Sequence, residues 1–235
     1  MALKIFHCGC CGAQVYFDNS DCMQCGARLA FVPDEMGFMA FNSTAQGCQR
    51  LDPGRPTENS MAPWLAEAAK CRVLATLLTL GVPIGPKHHF GDAVGLEFVW
   101  AVPSGGATAT TGHDNGTITL NLLEVDDVHR ESTRVAFGEP LRSVLGHLRH
   151  ELSHRVQQSY PLDPATQETA RTLFGDERID YSRALQTHCD CGPPAHWQQQ
   201  CISAYASAHP REDWAETCAH CLLMVDAVET ASAWS

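Results

Sequence analysis

Residues 147–158 read HLRHELSHRVQQ, and within this stretch two histidines lie four positions apart with a glutamate directly after the first. In a helix, positions i and i+4 share one face, with their Cβ atoms about 5–6 Å apart. His150 and His154 can therefore bind one metal ion, and the carboxylate of Glu151 can lie beside a water molecule that the ion activates. The spacing predicts a zinc site with a glutamate as general base.

A catalytic zinc site of this kind needs a third protein ligand and one open position. The residues after His154, RVQQSYPLD, contain no further histidine, so we expect the ligand to come from a later helix. The best candidate is the stretch 210–226, PREDWAETCAHCLLMVD, which has three acidic residues near its start. Acidic residues also suit the positive end of a helix dipole, and the sequence leaves that alternative open. The preferred ligand is Glu212, followed by Glu216 and then Asp213.

A second group of candidate ligands lies near the N-terminus, where two C-x-x-C pairs are separated by ten residues. Each pair is followed by a glycine, as in turns that direct both thiolates towards one point. Four thiolates complete a tetrahedral zinc shell with no open position, which is typical of a structural site. Residues 1–32 are therefore predicted to form a zinc ribbon, whose small core makes metal binding the source of its folding energy. The four ligands are Cys8, Cys11, Cys22 and Cys25, and Cys10 is an extra thiol inside the first pair.

The composition narrows the possible partners and the compartment. The net charge of −11 argues against nucleic acid as the main partner, because phosphate binding requires a basic surface. No apolar run has the length of a membrane span, and the initial residues MALKIFHCGCCG lack the apolar segment of a signal peptide. Twelve cysteines are then more typical of metal ligands or buried side chains than of disulfides. We expect a cytoplasmic protein with no membrane partner.

The order of the elements predicts an α+β fold, with strands before the main helices. Residues 33–62 are rich in Pro, Gly, Ser, Asn and Asp and are predicted to form a linker or an irregular wrap. The domain expected over 63–235 begins with a helix that has one apolar face and ends near Gly81. Strands are predicted over 95–102 and 116–125, and helices over 141–158, 164–174, 176–190, 195–208 and 211–231.

Several stretches together resemble a bacterial family of zinc-binding metallopeptidases that carry an N-terminal zinc ribbon. These stretches are CGCCGAQVYFDNSDCMQCGARLAF, TGHDNGTITLNLLEVDD, GEPLRSVLGHLRHELSH, LFGDERIDYSRAL and GPPAHWQQQCISAYASAHPREDWAETCAH. The resemblance implies a zincin-like catalytic domain, with a short mixed sheet and a mostly helical C-terminal half, whose third metal ligand is a glutamate. Carried onto this sequence, the ligands are His150, His154 and Glu212, and the base is Glu151.

The resulting hypothesis is a gluzincin-like zinc metallopeptidase, a hydrolase that cleaves a peptide or protein substrate with metal-activated water. Such a protein would carry one structural and one catalytic zinc ion. The ribbon contains only Lys4 and Arg28 as strong cations, so its partner would be a protein rather than a nucleic acid. The alternative hypothesis is a catalytically degenerate, zinc-stabilised module for protein interaction.

Peptide hydrolysis also requires a donor to the oxyanion and a means of aligning the substrate. The sequence does not rank the candidate donors, which are Tyr181, Tyr205, His209 and His220. The strand over 116–125 is a candidate edge strand for backbone pairing with an extended peptide. His113 and Asp114, which precede it, are predicted to be turn residues.

The later cysteines suggest a third hypothesis, a thiol-based redox or metal sensor. Cys189 and Cys191 form a C-x-C pair, which is tighter than the usual redox C-x-x-C. Cys218 and Cys221 are predicted to be small buried side chains. A sensor would form reversible disulfides among Cys189, Cys191, Cys201, Cys218 and Cys221.

Overall fold

The computed structural model describes residues 6–17, 19–32, 35–41, 61–88, 95–102, 110–159 and 163–233. Short strands occupy the N-terminal part and helices most of the C-terminal half, so the predicted α+β class is confirmed. Most of the predicted linker over 33–62 lies outside the described residues, and the domain boundaries stay a prediction. No helix among the described residues combines the length and the apolar character needed to cross a membrane.

Four short strands form the N-terminal ribbon. Strand β1 (Phe6–His7) pairs antiparallel with β2 (Gln14–Val15), and β3 (Arg28–Val32) pairs antiparallel with β4 (Gly37–Phe41). Strand β4 lies within the stretch that was expected to be a linker. The second hairpin of the ribbon therefore continues beyond the predicted end of the ribbon at residue 32.

An aromatic cluster forms the core between the two hairpins. Phe6, Phe31 and Phe38 are buried, and Phe17 packs against them, with ring centroids 4.6–5.8 Å apart. Edge-to-face aromatic contacts stabilise a small core beyond the effect of buried area alone. Phe38 lies opposite Phe31 across the β3–β4 pair. Burial of Phe38 explains why the chain remains a strand within the predicted linker.

A four-stranded sheet follows along the chain. Its order is β5 (Gly85–Pro86), β6 (Gly95–Ala101), β8 (Thr117–Asn121) and β7 (Gly112–Asp114). Strand β7 is antiparallel to β8, whereas the other neighbours are parallel. Ile118 and Leu120 are fully buried and alternate with half-exposed neighbours, as expected for a strand with one face on the core.

Strand β8 is shorter than predicted and is not an edge strand. It ends at Asn121, and Leu122–Val125 form a 3-10 turn. Strand β7 pairs with it on one side and β6 on the other, so the prediction of an edge strand at 116–125 is wrong. The reason is the Asn115-Gly116 turn, which folds the chain back and places β7 at the end of the described strand order.

The turn between β7 and β8 requires glycine. Asn115 and Gly116 both have positive φ, 45° and 80°. Positive φ at both positions matches the twist of the flanking strands, and Asn-Gly is the preferred sequence for such a turn. A Cβ atom on residue 116 would clash with the backbone carbonyl oxygen of Gly95.

We expect Gly116→Ala to lower the free energy of unfolding by about 3 kcal/mol or more, because positive φ costs an L-residue about 1–3 kcal/mol and the backbone clash adds to it. Gly81→Ala is the matched control, since Gly81 has a φ of 76° but a Cβ atom there would meet no other atom within 4 Å. Chemical denaturation of both variants measures the difference. Equal losses would show that the contact with Gly95 costs nothing.

Helices dominate the C-terminal half, and one further helix precedes the four-stranded sheet. The described α-helices are α1 (Met61–Thr79), α2 (Asp127–Phe137), α3 (Val144–Ser159), α4 (Pro164–Phe174), α5 (Tyr181–Cys191) and α6 (Pro210–Ala233). Helix α2 was not predicted, although its boundary signals are present. Asp126 caps it by accepting a hydrogen bond from the backbone N–H of His129, and Gly138 ends it with a positive φ.

The helix predicted over 195–208 is wrong. Two 3-10 turns, Trp197–Gln199 and Tyr205–Ala208, occupy this stretch instead. The residue before the first turn, His196, has a left-handed backbone with φ of 61°, which an α-helix does not accommodate. Two prolines precede it and remove backbone N–H donors. The second turn carries two buried alanines, so burial rather than helical periodicity explains the apolar positions.

The chain divides by its internal contacts into two compact units. The first comprises residues 1–82, 122–145 and 227–235, and the second comprises 83–121 and 146–226. The first unit contains the ribbon, α1 and α2. The second contains the sheet, α4, α5 and most of α3 and α6, and it includes both histidines of the HELSH motif and the three candidate acids.

Candidate functional site

Three ligand atoms converge between α3 and the start of α6. The Nε2 atom of His150 lies 3.1 Å from Nε2 of His154 and 3.1 Å from Oε2 of Glu212, and the distance from His154 Nε2 to Glu212 Oε2 is 3.4 Å. Nitrogen and oxygen ligands of a tetrahedral zinc ion, bound at about 2.0–2.2 Å, lie about 3.3–3.5 Å apart. The triangle is therefore close in size to one formed by three ligands of a single zinc ion.

Contacts between α3 and α6 produce this geometry. The indole Nε1 of Trp214 donates a hydrogen bond to the backbone carbonyl of Ser153 at 3.2 Å. Arg149 and Asp226 form an ion pair between the same two helices. These contacts set the rotation of each helix about its axis. The face of α3 that carries both histidines is consequently turned towards Glu212 in the first turn of α6.

The electrostatics of the site favour a positive charge among the ligand atoms. Burial lowers the pKa of His150, but hydrogen bonds with Glu212 and Glu216 outweigh it and raise the pKa to about 10. Burial alone would raise the pKa of Glu212, yet its contacts with His150 and His154 hold that pKa far below its ordinary value. The buried carboxylates are thus stabilised by a cation, whether a proton on the imidazole or a metal ion.

The four cysteines of the ribbon form a second ligand group. Sγ of Cys8 lies 3.7 Å from Sγ of Cys25, and Sγ of Cys11 lies 3.6 Å from Sγ of Cys22. A disulfide requires about 2.05 Å, whereas two thiolates bound to one zinc ion at about 2.3 Å lie about 3.8 Å apart. Backbone N–H groups of Cys25 and Gln24 lower the pKa of Cys22 to about 6, whereas burial and contacts with neighbouring thiols raise the pKa values of Cys11 and Cys25.

Comparison with known proteins agrees with both ligand groups. A family model described as "Putative zinc-binding metallo-peptidase" matches residues 61–235, and a zinc-ribbon domain model matches residues 5–73. The chain belongs to this metallopeptidase family. It is 38% identical over 264 residues to an uncharacterized protein of Mycobacterium tuberculosis and, equally, to one of Mycobacterium bovis, which covers 99% of this chain and 76% of the relative. No solved structure matches the chain significantly.

In this member of the metallopeptidase family, Glu216 contacts the outer nitrogen of the first histidine. Its Oε1 lies 2.7 Å from Nδ1 of His150. A metal ion bound at Nε2 would leave the ring proton on Nδ1, where the carboxylate of Glu216 accepts it in a hydrogen bond. Glu212 and Glu216 reach opposite nitrogens of one ring because they lie four residues apart on the same face of α6. Glu216, the second-choice ligand of the sequence analysis, therefore contacts His150 from outside the converging group.

We expect Glu216→Ala to weaken zinc affinity at the His150 site by about 10–100-fold, the usual cost of losing a carboxylate that orients a ligating histidine. Glu229→Ala, on the same helix near its end, is the control and should leave the affinity unchanged. Competition titration with a zinc chelator measures both. An unchanged affinity in Glu216→Ala would show that the contact with Nδ1 has no positioning effect.

Asp213, the third candidate acid, has other contacts. Its carboxylate lies 3.4 Å from Oγ1 of Thr217 and 3.9 Å from Sγ of Cys201. Burial raises the pKa of Asp213. Among the three acids near the start of α6, Glu212 is the one that contributes to the converging ligand group.

Glu151, the predicted base, lies beside the ligand group and is largely shielded from solvent. Burial raises its pKa, against the lowering effect of the imidazoles of His150 and His154. A carboxylate in such surroundings holds a proton more readily than one in water. This property suits a group that accepts and then returns a proton during a reaction.

The two tyrosines among the oxyanion candidates differ in their contacts. The Tyr181 hydroxyl donates a hydrogen bond to Oε1 of Glu212 at 2.6 Å, so it holds the carboxylate whose other oxygen faces the histidines. The ring of Tyr205 lies 6.0 Å from the ring of His150. Tyr205 is 42% exposed, but burial of the rest of the side chain and the negative charge of Glu212 raise the pKa of its hydroxyl. Its hydroxyl therefore remains protonated and able to donate.

The two histidines among these candidates are engaged in backbone contacts. Nδ1 of His209 accepts a hydrogen bond from the N–H of Arg211, and its Nε2 lies 3.2 Å from the carbonyl of Ile179. Nδ1 of His220 donates to the carbonyl of Glu216 at 2.8 Å. These contacts make both side chains structural supports of the segments around the site. No local sequence signal indicates the contact of His209 with Ile179 or that of Tyr181 with Glu212, because the partners are 30 and 31 residues apart in the chain.

His113 stabilises the turn that it precedes. Its Nε2 accepts a hydrogen bond from the backbone N–H of Gly116 at 3.0 Å. Burial and the nearby charge of His154 lower its pKa to about 4, so the ring is neutral. The prediction that His113 and Asp114 are turn residues is wrong, because both belong to strand β7 and the turn itself is formed by Asn115 and Gly116.

The other cysteines lie outside both ligand groups. Among the described residues, groups of three or more converging His, Cys, Asp or Glu ligands occur in the ribbon and at His150. Cys221 is exposed, so the prediction of a buried side chain is wrong there, whereas Cys218 is half-buried against Ser153. The helical spacing places the two on neighbouring but different sides of α6. Among the described cysteines outside both ligand groups, Cys10, Cys189, Cys191 and Cys221 are exposed.

Proposed function

We propose that the chain is a zinc-dependent peptidase that hydrolyses peptide bonds with Glu151 as general base. The observation that supports this most directly is the triangle of His150 Nε2, His154 Nε2 and Glu212 Oε2, with sides of 3.1–3.4 Å. Its size fits three ligands of one tetrahedral ion. The carboxylate of Glu151 adjoins this group from the same helix. Family membership supports the same reading.

Two zinc ions are part of the proposal. His150, His154 and Glu212 would hold the catalytic ion, and the four ribbon cysteines would hold a structural one. When bound at the first site, zinc supplies Lewis acidity, which polarises the scissile carbonyl and lowers the pKa of water.

The side chains of the protein would then carry the proton transfers. Glu151 would accept a proton from the attacking water and return it to the leaving amine. Tyr205, whose hydroxyl stays protonated beside the site, is the preferred donor to the oxyanion. Tyr181 and Glu216 would act through the ligands that they hold, Glu212 and His150.

Strand β7 is the proposed alignment edge for the substrate. It forms one end of the described strand order, and its middle residue His113 lies close enough to His154 for the charge of that imidazole to lower the pKa of His113. The outer side of such a strand offers backbone N–H and C=O groups to an extended peptide. Recognition through these groups would not depend on the side chains of the substrate.

The partner of the ribbon belongs to the same proposal. The net charge of −11 is unsuited to nucleic acid, so we infer a protein partner for the ribbon. This inference rests on composition and is separate from the reaction.

The test is hydrolysis of a peptide library by the zinc-loaded wild type and by Glu151→Gln. Hydrolysis by the wild type alone supports the proposal. Equal hydrolysis by both proteins would overturn it. Hydrolysis by neither would favour the alternative of a degenerate, zinc-stabilised interaction module.

A further inference from the structure

A cavity of about 300 Å³ lies between the end of α3, helix α4 and the start of α6. Three amide side chains line it, and the remaining walls include an aromatic ring, a proline and a guanidinium group. The amides belong to Gln157, Gln158 and Gln167, and the other three groups belong to Phe174, Pro210 and Arg211.

The cavity begins one helical turn from the proposed catalytic site. Gln157 and Gln158 follow His154 by three and four residues on α3, so they lie on the same side of the helix and about 4.5–6 Å further along its axis. Arg211 directly precedes Glu212 on α6. A peptide bound with its scissile bond at the ligand group would therefore have a neighbouring side chain within reach of this cavity.

The charge of the cavity is positive. Its acidic lining residue, Glu177, is paired with Arg171 at 2.7 and 3.1 Å, which neutralises it. Arg211 also lines the cavity, and its backbone N–H is held by His209. No hydrogen bond of its guanidinium appears among the described residues.

We propose that this cavity is a substrate subsite that binds an aspartate or glutamate side chain of the peptide. This inference rests on the proposed peptidase function for its location and names the class of substrate. Arg211 would pair with the carboxylate, the amides of Gln157, Gln158 and Gln167 would donate further hydrogen bonds, and Phe174 and Pro210 would contact the methylene groups.

The same lining disfavours other side chains. A lysine or arginine of the substrate would face the charge of Arg211 without a free carboxylate among the described lining residues. An aliphatic side chain would displace water from the amides and the guanidinium without replacing its hydrogen bonds, which costs free energy. The selectivity therefore arises from both attraction and exclusion.

The experiment measures peptide binding without hydrolysis. Zinc-loaded full-length Glu151→Gln is titrated with fluorescent peptides that are identical except for Glu, Gln, Leu or Lys at one position, and the position is moved along the peptide. We expect Glu at one position to bind about 10–100-fold more tightly than Leu or Lys, the range of a charge-assisted hydrogen bond. Fluorescence anisotropy gives the dissociation constants.

Two further substitutions test the cavity itself. Arg211→Glu should reverse the preference towards Lys, and Gln167→Glu, on a different helix from every proposed zinc ligand, should reduce the advantage of Glu. Arg183→Ala removes a cation that lines a separate cavity and should leave the preference unchanged. Zinc content is measured for each variant. If Arg211→Glu loses zinc, the result for Gln167→Glu decides whether the cavity sets the preference for acidic side chains.

The outcomes separate the subsite from the reaction. No peptide binding, no preference for acidic side chains, or a preference that survives substitution of the cavity would overturn the subsite even if the wild type hydrolyses peptides. Acidic preference that depends on the cavity, in a protein whose wild type hydrolyses nothing, would support the subsite and remove the peptidase proposal.

Discussion

Glu151→Gln is expected to lower kcat/KM for peptide hydrolysis by about 10²–10⁴-fold, the usual contribution of a positioned general base. Glutamine preserves the shape of the side chain but cannot accept a proton. The ligand atoms on His150, His154 and Glu212 are untouched, so the zinc content should remain that of the wild type. The loss should therefore appear mainly in kcat, with little change in the binding of peptide.

The measurement is steady-state hydrolysis of the best peptide from the library, together with metal analysis of the same preparations. Glu131→Gln is the matched control, because Glu131 is exposed and paired at the surface with Arg134 at 2.7 Å. It should retain full activity. Activity of Glu151→Gln equal to that of the control would remove Glu151 from the mechanism and with it the proposed reaction.

Cys22→Ser is expected to cost one zinc ion per chain and to unfold the ribbon. Cys22 is almost fully buried, and its Sγ lies 3.6 Å from that of Cys11. Serine lacks the thiolate that zinc prefers, and a ribbon of this size depends on metal binding for its folding energy. The aromatic core around Phe6, Phe31 and Phe38 would lose its packing at the same time.

Metal analysis and NMR spectra of labelled protein measure this result, through the zinc stoichiometry and the dispersed resonances of the ribbon. Cys10→Ser is the control: Cys10 is exposed, and its thiol is outside the converging group. It should keep both the zinc and the spectrum. A folded ribbon with unchanged zinc in Cys22→Ser would exclude a four-cysteine site.

Local spacing explains what was predictable about the two ligand groups. The i, i+4 relation places His150 and His154 on one face of any helix that contains them. Two C-x-x-C pairs likewise form turns whose geometry depends on few neighbouring residues. In both cases the distance between ligands is set by backbone geometry within one segment, so the sequence indicates it directly.

The errors occur where burial or turn chemistry prevails over periodicity. Strand β4 forms inside a stretch rich in linker residues because Phe38 enters the aromatic core. The expected helix at 195–208 breaks at a left-handed His196. Helix α2 was overlooked although Asp126 and Gly138 mark its ends. Its surface position, with no fully buried residue, leaves little apolar signal to detect.

The sequence by itself determined the α+β class, the ribbon cysteines as a group and the histidine pair with its adjacent glutamate, because these follow from composition and from spacing within a segment. Only the tertiary structure decided which acid meets the histidines. Glu212 and Glu216 share a face of α6, and their sequence positions are equivalent in that respect. The packing of α3 against α6 brings Glu212 to Nε2 and Glu216 to Nδ1 of one ring, since the rotation and depth of two packed helices depend on contacts between residues far apart in the chain.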